Sequence, residues 1–496
     1  QKLGGKAKAA TLMFAKFSPA NSNHVAYVRE KNVYVEDLQT GKIRMLTKRS
    51  SDTVINGTFD WVYEEELGLR DGFRWSPDGK AIAYWQLDEE GVPEMHMLNN
   101  VSGYYPKLIT FRYPKTGETN SICRVGVVQL DDAKTTWMKV PGDPRNHYLA
   151  RMEWAENSEE LLLQQLNRLQ NQNKVMMANA HSGEIKTVYT DKDKAWIEVR
   201  FGFTQWIEKG KQFTYVSERE GWRQLYLVAR DGSNVRKITK GKYDIIRTLK
   251  LDEDKGLLYF IASPDNATER YLYRVGLDGK GLKRLSPADQ TGSHSYSLST
   301  DAKWALHTFS NIDSPPVTNL IELPSHRVIR TMEMNQALRD KLIKLKRPKS
   351  EFFRINIDKS VAVDAYAILP PDLNPKKKYP LLVYVYGEPA GQTTVNGWRG
   401  SGGLWHWMLA QQGYVVMSID NRGTTAPRGN AWRKSIYRQV GILASKDQAA
   451  AVRQVLKDRP YLDADRVGVW GWSGGGSMTL NALFRYPDLY NTGISI

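Results

Sequence analysis

The residues best suited to chemistry form one hexapeptide, GWSGGG, at positions 471–476, with Ser473 as its third residue. It matches G-x-S-x-G, follows the apolar run RVGVW (466–470) and precedes a segment with apolar residues at helical spacing (478–484). Small residues at 471 and 475 let a strand turn at once into a helix, which exposes the serine hydroxyl and aims the Gly474 N–H at a developing oxyanion. The motif predicts a nucleophile elbow with Ser473 as the nucleophile.

The elements around this motif alternate between strands and helices. Short apolar runs at 381–386, 414–420 and 466–470 are typical of strands buried in a parallel sheet, and helical spacing occurs at 405–412 and 442–457. Residues 352–369 are rich in strand-forming residues. This order predicts a doubly wound α/β domain of the hydrolase kind over residues 351–496.

The first two-thirds of the chain, residues 1–350, repeats a pattern of apolar strands separated by tight turns. Most copies are spaced about 45–60 residues apart, which is typical of propeller blades. The SPDG sequence at 76–79 has the residues of a type I turn, and an Asp-Gly pair at 231–232 suits a hairpin. The copies begin near Phe14, Phe73, Met152, Phe203, Leu249 and Tyr296.

A β-propeller explains six similar units in series, although an unrelated all-β sandwich or barrel stays open as an alternative. The longer interval between the second and third copies contains residues 104–128, which we interpret as an insertion. We expect it to form an extended arm from the propeller rim, and an exposed arm of this kind is a candidate dimerisation element.

The composition of the chain limits the classes of function that it can have. The net charge is +16, but the densest basic groups, at 341–349 and 376–378, lie beside prolines and read as solvated loops, not as a nucleic-acid stripe. The single cysteine, Cys123, cannot form an internal disulfide. No apolar run approaches a membrane span, no His/Cys cluster has metal-ligand spacing, and no phosphate-binding loop is present, so we expect neither a metal nor a cofactor.

Four segments together resemble the dipeptidyl peptidase IV family, a branch of the prolyl oligopeptidase clan, over essentially the whole chain. They are DWVYEEE (60–66), YPKTG (113–117), DNRG (420–423) and WGWSGGG (470–476). The sequence after the elbow is most similar to bacterial members. The resemblance implies an eight-bladed propeller, incomplete in this chain, joined to a truncated α/β-hydrolase domain.

The resemblance also implies how a substrate is held. Glu65 and Glu66 match the pair that binds the free N-terminus of a peptide, although three consecutive glutamates taken alone are usually a solvated helix start. Two adjacent carboxylates repel each other, and an incoming α-ammonium relieves that repulsion. Anchoring the amine there would place the second peptide bond over Ser473. We therefore expect removal of X-Pro, less often X-Ala, dipeptides from peptide N-termini.

Two further site residues follow from the resemblance. Tyr386 matches the tyrosine whose hydroxyl completes the oxyanion hole with the Gly474 N–H, although a strand tyrosine could also be a core residue. Animal members carry tyrosine at the position of Gly474, so any substrate contact from that side chain is absent here. Trp472 and Arg422 are expected to be structural or peripheral.

The remaining triad members are not found in the expected order. In this fold the acid and the histidine follow the nucleophile, but residues 474–496 contain no histidine and one aspartate, Asp488, that comes too early. We expect the chain to be truncated at both ends and inactive by itself, because a serine hydroxyl without its base is a poor nucleophile.

Two other function classes stay open from the sequence. An acylaminoacyl peptidase or oligopeptidase of the same clan is the enzymatic alternative, and a propeller that only binds partners is the non-catalytic one. The reading we adopt implies peptide substrates, a homodimer formed through the arm 104–128 and the hydrolase domain, and an exported protein of the bacterial periplasm or cell surface. No nucleic acid is implied.

Overall fold

The computed structural model describes residues 2–8, 11–199 and 204–496. The chain forms two compact units, one of residues 1–215 with 227–236 and the other of residues 216–226 with 237–496. The predicted start of the fourth repeat, Phe203, lies outside the described residues. Among the described residues, no helix is both long and apolar enough to cross a membrane.

The first unit contains three consecutive antiparallel sheets. Their strand orders are β1-β2-β3-β4, then β11-β10-β7-β5 with β6 also paired to β7, then β12-β13-β14-β15. Sheets of four or five strands in series agree with the predicted repeats. The strands are β1 (Leu12–Phe17), β2 (His24–Arg29), β3 (Asn32–Asp37), β4 (Ile43–Met45), β5 (Val54–Asn56), β6 (Phe73–Trp75), β7 (Ala81–Asp88), β8 (Glu94–Asn99), β9 (Lys107–Arg112), β10 (Ile122–Gln129), β11 (Thr135–Trp137), β12 (His147–Trp154), β13 (Glu160–Asn167), β14 (Gln172–Asn179) and β15 (Ile185–Lys192).

The predicted SPDG turn between β6 and β7 is present. Ser76 Oγ donates to Asp78 Oδ1 at 2.6 Å, and the Gly79 N–H donates to the Ser76 carbonyl at 2.9 Å. Gly79 has φ +69°, a backbone conformation that residues other than glycine rarely adopt. The turn chemistry read from the sequence therefore fixes the register of this hairpin.

The long insertion is a two-stranded hairpin built from β8 and β9, so it covers residues 94–112. It begins before the predicted start at residue 104, and residues 122–128 of the predicted arm belong instead to β10, a strand of the second sheet. The difference has a packing cause: most of β10 is buried, whereas Met97, Leu98 and Leu108 of the hairpin are exposed.

Three more antiparallel sheets follow in the chain, in the orders β16-β17-β18-β19, β20-β21-β22-β23 and β24-β25-β26-β27. Their regular sequential order is that of meandering blades. The strands are β16 (Trp206–Ile207), β17 (Gln212–Ser217), β18 (Gln224–Ala229), β19 (Val235–Lys237), β20 (Ile245–Asp252), β21 (Leu257–Ala262), β22 (Tyr271–Gly276), β23 (Lys283–Arg284), β24 (Ser293–Leu298), β25 (Trp304–Asn311), β26 (Ser314–Glu322) and β27 (Val328–Glu333).

The last third of the chain forms a six-stranded sheet in the order β28-β29-β31-β30-β32-β33. The first two strands pair antiparallel, and β30 pairs in parallel with both β31 and β32. The short strand β33 extends the parallel part and has no counterpart in the sequence prediction. The strands are β28 (Lys349–Asn356), β29 (Ala362–Leu369), β30 (Tyr379–Tyr384), β31 (Val415–Asp420), β32 (Leu462–Gly471) and β33 (Thr492–Ser495).

Six helices are described, and the three predicted ones are α3, α5 and α6. Helix α5 buries Ala451, Val452 and Val455 against the same apolar core as Val383 and Val469 of the central strands. This packing covers the sheet that carries the elbow. The helices are α1 (Trp61–Glu65), α2 (Gln336–Ile343), α3 (Gly400–Gln411), α4 (Asn430–Arg433), α5 (Leu443–Asp458) and α6 (Gly474–Arg485), with a 3₁₀ turn at Lys434–Ile436.

A buried ion network within the second unit fixes helix α4. The Arg433 guanidinium donates to Asp244 Oδ2 at 2.5 Å and to Glu218 Oε1 at 2.7 Å. Burial would raise the pKa of Glu218, but the charges of Arg433, Arg223 and Lys434 prevail and lower it to about 2. Each of these buried charges has a partner, which is the condition under which a protein interior tolerates them.

Candidate active site

Ser473 lies where β32 ends and α6 begins, as the sequence predicts. Its backbone has φ +57° and ψ −118°, and helix α6 starts at the next residue. A serine at positive φ is held in a strained conformation, which persists only where the surroundings enforce it. The side chain is exposed. The fold therefore presents a hydroxyl at the carboxyl end of a central parallel strand.

Two glycines of the motif are required by backbone contacts. A Cβ atom on Gly471 would lie 2.4 Å from the Gly475 carbonyl oxygen, and one on Gly475 would lie 2.3 Å from the Val385 carbonyl oxygen. Both obstacles are main-chain atoms that cannot rotate away. The spacing of the glycines in the sequence is thus explained by the bend itself.

The Gly474 N–H is the first amide of helix α6, and it makes no hydrogen bond to any residue that the structure describes. The neighbouring amides of Gly475 and Gly476 are used within the bend, by the carbonyls of Trp472 and Ser473. A free amide at a helix N-terminus is suited to an anionic oxygen. It is the donor that the sequence predicts for an oxyanion.

Tyr386 lies directly beyond the neighbouring strand β30. Tyr384 of β30 is opposite Trp470 of β32, and the Val385 N–H donates to the Trp470 carbonyl at 3.0 Å. A Cβ on Gly475 would be 3.4 Å from the Tyr386 Cα, so the backbone of Tyr386 packs on the elbow. The structure thus brings Tyr386, Ser473 and Gly474 together at one edge of the sheet.

The loop that carries Tyr386 is held by the first two residues of the DNRG motif. Asn421 Nδ2 donates to the Gly387 carbonyl at 3.0 Å, and Asp420 Oδ1 accepts from the N–H groups of Thr393 and Thr394 at 3.0 and 3.2 Å. Both Asp420 and Asn421 are fully buried. In the sequence this motif only marked the family resemblance. In the structure it positions the loop that carries Tyr386.

Glu65 and Glu66 belong to the first unit, at the end of the short helix α1. Asp60 caps this helix: its Oδ1 accepts from the Tyr63 N–H at 3.0 Å, and its Oδ2 accepts from Ser121 Oγ at 2.7 Å. Tyr63 is buried and its hydroxyl accepts from the Leu149 N–H. Asp60 and Tyr63 of the motif therefore anchor the helix.

The two glutamates themselves are exposed, and neither carboxylate makes a hydrogen bond or ion pair within the described part of the chain. Backbone carbonyls crowd the C-terminal end of a helix, where a carboxylate is disfavoured. Nothing in the local structure thus requires acids at these positions. They are available to a positively charged ligand.

A histidine beside the strand that leads to the elbow is buried. His406 of α3 has its ring 5.7 Å from Trp470 and 5.4 Å from Tyr384, and it is 3% exposed. Burial, followed by the charge of Arg399, lowers the pKa of His406 to about 4. Neither ring nitrogen has a hydrogen-bond partner among the described residues. This histidine is enclosed by aromatic rings and is not presented to a substrate.

One residue beside the elbow was missed in the sequence. Glu388, two positions after Tyr386, points its carboxylate at Gly474: a Cβ there would lie 2.4 Å from Glu388 Oε2. Burial raises the pKa of this half-buried carboxyl above its usual value. The signal available in the sequence was a charged residue in the loop after a buried strand.

In the part of the chain that the structure covers, no group of three metal-ligating side chains is present.

Two family models match this chain. The model described as the dipeptidyl peptidase IV N-terminal region matches residues 3–316. The model of the prolyl oligopeptidase family matches residues 405–496, which include the elbow. The first match covers more than half of the chain.

Named relatives agree with these matches. Dipeptidyl peptidase 4 of Trichophyton rubrum is 29% identical over 501 residues, covering 98% of this chain and 64% of the relative. Dipeptidyl peptidase 4 of Arthroderma otae is 28% identical, covering 98% and 63%. The crystal structure of Porphyromonas gingivalis dipeptidyl peptidase 4 matches with a TM-score of 0.91 and 31% identity, over 98% of this chain and 67% of that one. The chain thus spans about 64% of the length of the first relative. It belongs to the dipeptidyl peptidase IV family of the prolyl oligopeptidase clan.

Proposed function

We propose that the full-length protein is a serine exopeptidase that releases X-Pro or X-Ala dipeptides from the free N-termini of peptides. One observation supports this most directly: Ser473 is exposed at a strained bend whose following amide is free, in a chain of the dipeptidyl peptidase IV family. An exposed serine in this geometry is the arrangement used for acyl transfer.

In the proposed reaction the Ser473 hydroxyl attacks the carbonyl carbon of the scissile peptide bond and gives its proton to a general base. The carbonyl oxygen becomes an oxyanion, which accepts hydrogen bonds from the Gly474 N–H and the Tyr386 hydroxyl. The C–N bond then breaks, and the leaving amine takes the proton. Water, deprotonated by the same base, hydrolyses the acyl-enzyme and frees Ser473.

No residue that follows Ser473 in this sequence is assigned as the general base or its orienting carboxylate. Residues 474–496 contain no histidine. Asp488 is exposed and forms an ion pair with Arg453 at 2.7 Å, so it is engaged elsewhere. The proposal therefore concerns the full-length protein.

Glu65 and Glu66 are proposed to bind the substrate's α-ammonium. Their carboxylates are exposed and adjacent in sequence, and a cation between them forms two charge-assisted hydrogen bonds. An N-acetylated peptide has no charge at this position. The pair would therefore exclude blocked peptides, which an acylaminoacyl peptidase would instead accept.

The test compares hydrolysis of Gly-Pro-anilide with that of its N-acetylated form. We expect the full-length wild type to prefer the free amine by at least about 100-fold in kcat/KM, the equivalent of two charge-assisted hydrogen bonds. Replacing both Glu65 and Glu66 by glutamine should remove at least about 30-fold of this preference. Glu64→Gln, on the same helix, serves as the control and should keep the preference.

Equal rates on the two anilides would remove the role given to Glu65 and Glu66 and favour an acylaminoacyl peptidase. Absence of any hydrolysis, together with no labelling by a fluorophosphonate, would favour a propeller that only binds partners.

The remaining assignments are also proposals. We place the boundary between an incomplete eight-bladed propeller and the α/β-hydrolase domain near residue 350, where meandering sheets give way to the mixed sheet. We propose a homodimer in which the hairpin of β8 and β9 takes part, because it exposes Leu98, Tyr104 and Leu108. An exported, periplasmic or cell-surface location is proposed from the resemblance.

A further inference from the structure

The carboxylate of Glu388 occupies the space that a side chain at position 474 would need. A Cβ atom built on Gly474 lies 2.4 Å from Glu388 Oε2 and 2.8 Å from its Cδ. The carboxylate is therefore in contact with the residue that follows the nucleophile. A group bound at Ser473 would lie next to this negative charge.

This carboxylate has no counter-ion. It makes no hydrogen bond and no ion pair with any residue that the structure describes, although it is half-buried. Burial is the one influence that shifts its pKa, and it raises it. A structural carboxylate in such a position would normally be paired, because an unpaired, partly buried charge is unfavourable. The absence of a partner leaves the carboxylate available to a cationic ligand.

The position of Glu388 is fixed by its surroundings. Gly387, which precedes it, has φ +76° and packs on Met478, whose Cγ would be 2.8 Å from a Cβ there. Asn421 Nδ2 holds the Gly387 carbonyl at 3.0 Å. The residue that follows is Pro389, which limits the backbone further. The charge is thus presented by a constrained loop.

The chemistry of the substrate decides what this charge can meet. The argument rests on the proposed function, in which the α-ammonium is bound by Glu65 and Glu66 and the residue before the cut is proline or alanine. Neither of these side chains carries a charge. The two residues that flank the scissile bond lie nearest to Ser473, and the one before the bond is uncharged, so a cationic side chain beside Ser473 is supplied by the residue after the bond. We propose that Glu388 is a specificity-determining residue that selects lysine or arginine immediately after the scissile bond.

The experiment uses the full-length protein and two peptides, Gly-Pro-Lys-Ala-Gly and Gly-Pro-Gln-Ala-Gly. Release of Gly-Pro is measured, and the ratio of the two kcat/KM values is taken within each enzyme, so that losses of stability cancel. We expect the wild type to prefer lysine by about tenfold, the size of one charge-assisted hydrogen bond. Glu388→Gln, which keeps the shape and removes the charge, should bring the ratio to about 1–2.

A second variant gives an independent test. Gly474→Ala places a methyl group where the carboxylate now lies, so Glu388 must turn away and the preference for lysine should fall as well. Equal release from both peptides by the wild type would overturn the inference while leaving the proposed dipeptidyl peptidase activity intact. An unchanged ratio in Glu388→Gln, with a lowered melting temperature, would assign Glu388 a structural role at the start of α6 instead. If the wild type released Gly-Pro from neither peptide, the inference and the proposed function would fall together.

Discussion

Replacing Ser473 by alanine should lower kcat for Gly-Pro-anilide by about 10⁴–10⁶-fold in the full-length protein, because no acyl-enzyme can then form. Labelling by a fluorophosphonate should disappear with it. The side chain is exposed, and alanine meets the same backbone conformation at φ +57°, so the melting temperature should stay close to that of the wild type.

Ser477 supplies the matched control. It is exposed on the same helix, one turn after the elbow. Ser477→Ala should keep both labelling and turnover. Continued labelling of the Ser473→Ala protein would show that another residue is the nucleophile.

Replacing Tyr386 by phenylalanine should lower kcat by about 10²–10³-fold with little change in KM. In the proposed mechanism the hydroxyl donates to the developing oxyanion, so its loss should raise the free energy of the transition state more than that of the bound substrate. The backbone of Tyr386 packs against Gly475, and the ring lies over Gly391, where a Cβ would be 2.9 Å from the tyrosine Cδ1. Phenylalanine keeps this packing.

Steady-state kinetics of Tyr386→Phe and Tyr384→Phe make the comparison. Tyr384 lies two residues earlier, and its ring centroid is 4.7 Å from that of Trp470. Its variant should keep kcat near the wild-type value. A Tyr386→Phe enzyme with full kcat would mean that the oxyanion is held by other donors.

The elbow could be predicted from the sequence because its causes are local. Gly471 is required by the Gly475 carbonyl within the bend, and an apolar strand before a helix is visible in the letters, whereas the Val385 carbonyl that faces Gly475 follows the distant strand β30 and could not be predicted. Five of the six strands of the mixed sheet coincide with apolar runs or strand-forming residues. The α/β order of the last third of the chain was therefore predictable from the sequence.

Other features depend on contacts between distant residues. Glu388 reaches Gly474 across 86 positions, and the hold of Asn421 on Gly387 spans 34. The predicted arm left out β8 and took in residues 122–128 of β10, because residue types alone do not distinguish the exposed strand β8 from the buried strand β10. Helix α2 overlaps the basic segment 341–349, which the sequence predicted to be a solvated loop. Whether such a segment packs in the core or projects from it depends on its burial, which residue types alone do not reveal.

The central claim is that a peptide held by its charged end is cut at its second peptide bond by Ser473. Mass spectrometry of the first products from Ala-Pro-Gly-Leu-Phe, incubated with the full-length protein, measures this directly. We expect Ala-Pro and Gly-Leu-Phe as the only early products, no cleavage of the N-acetylated peptide, and neither product with Ser473→Ala. Early release of alanine alone or of Ala-Pro-Gly, or equal cleavage of the acetylated peptide, would contradict it.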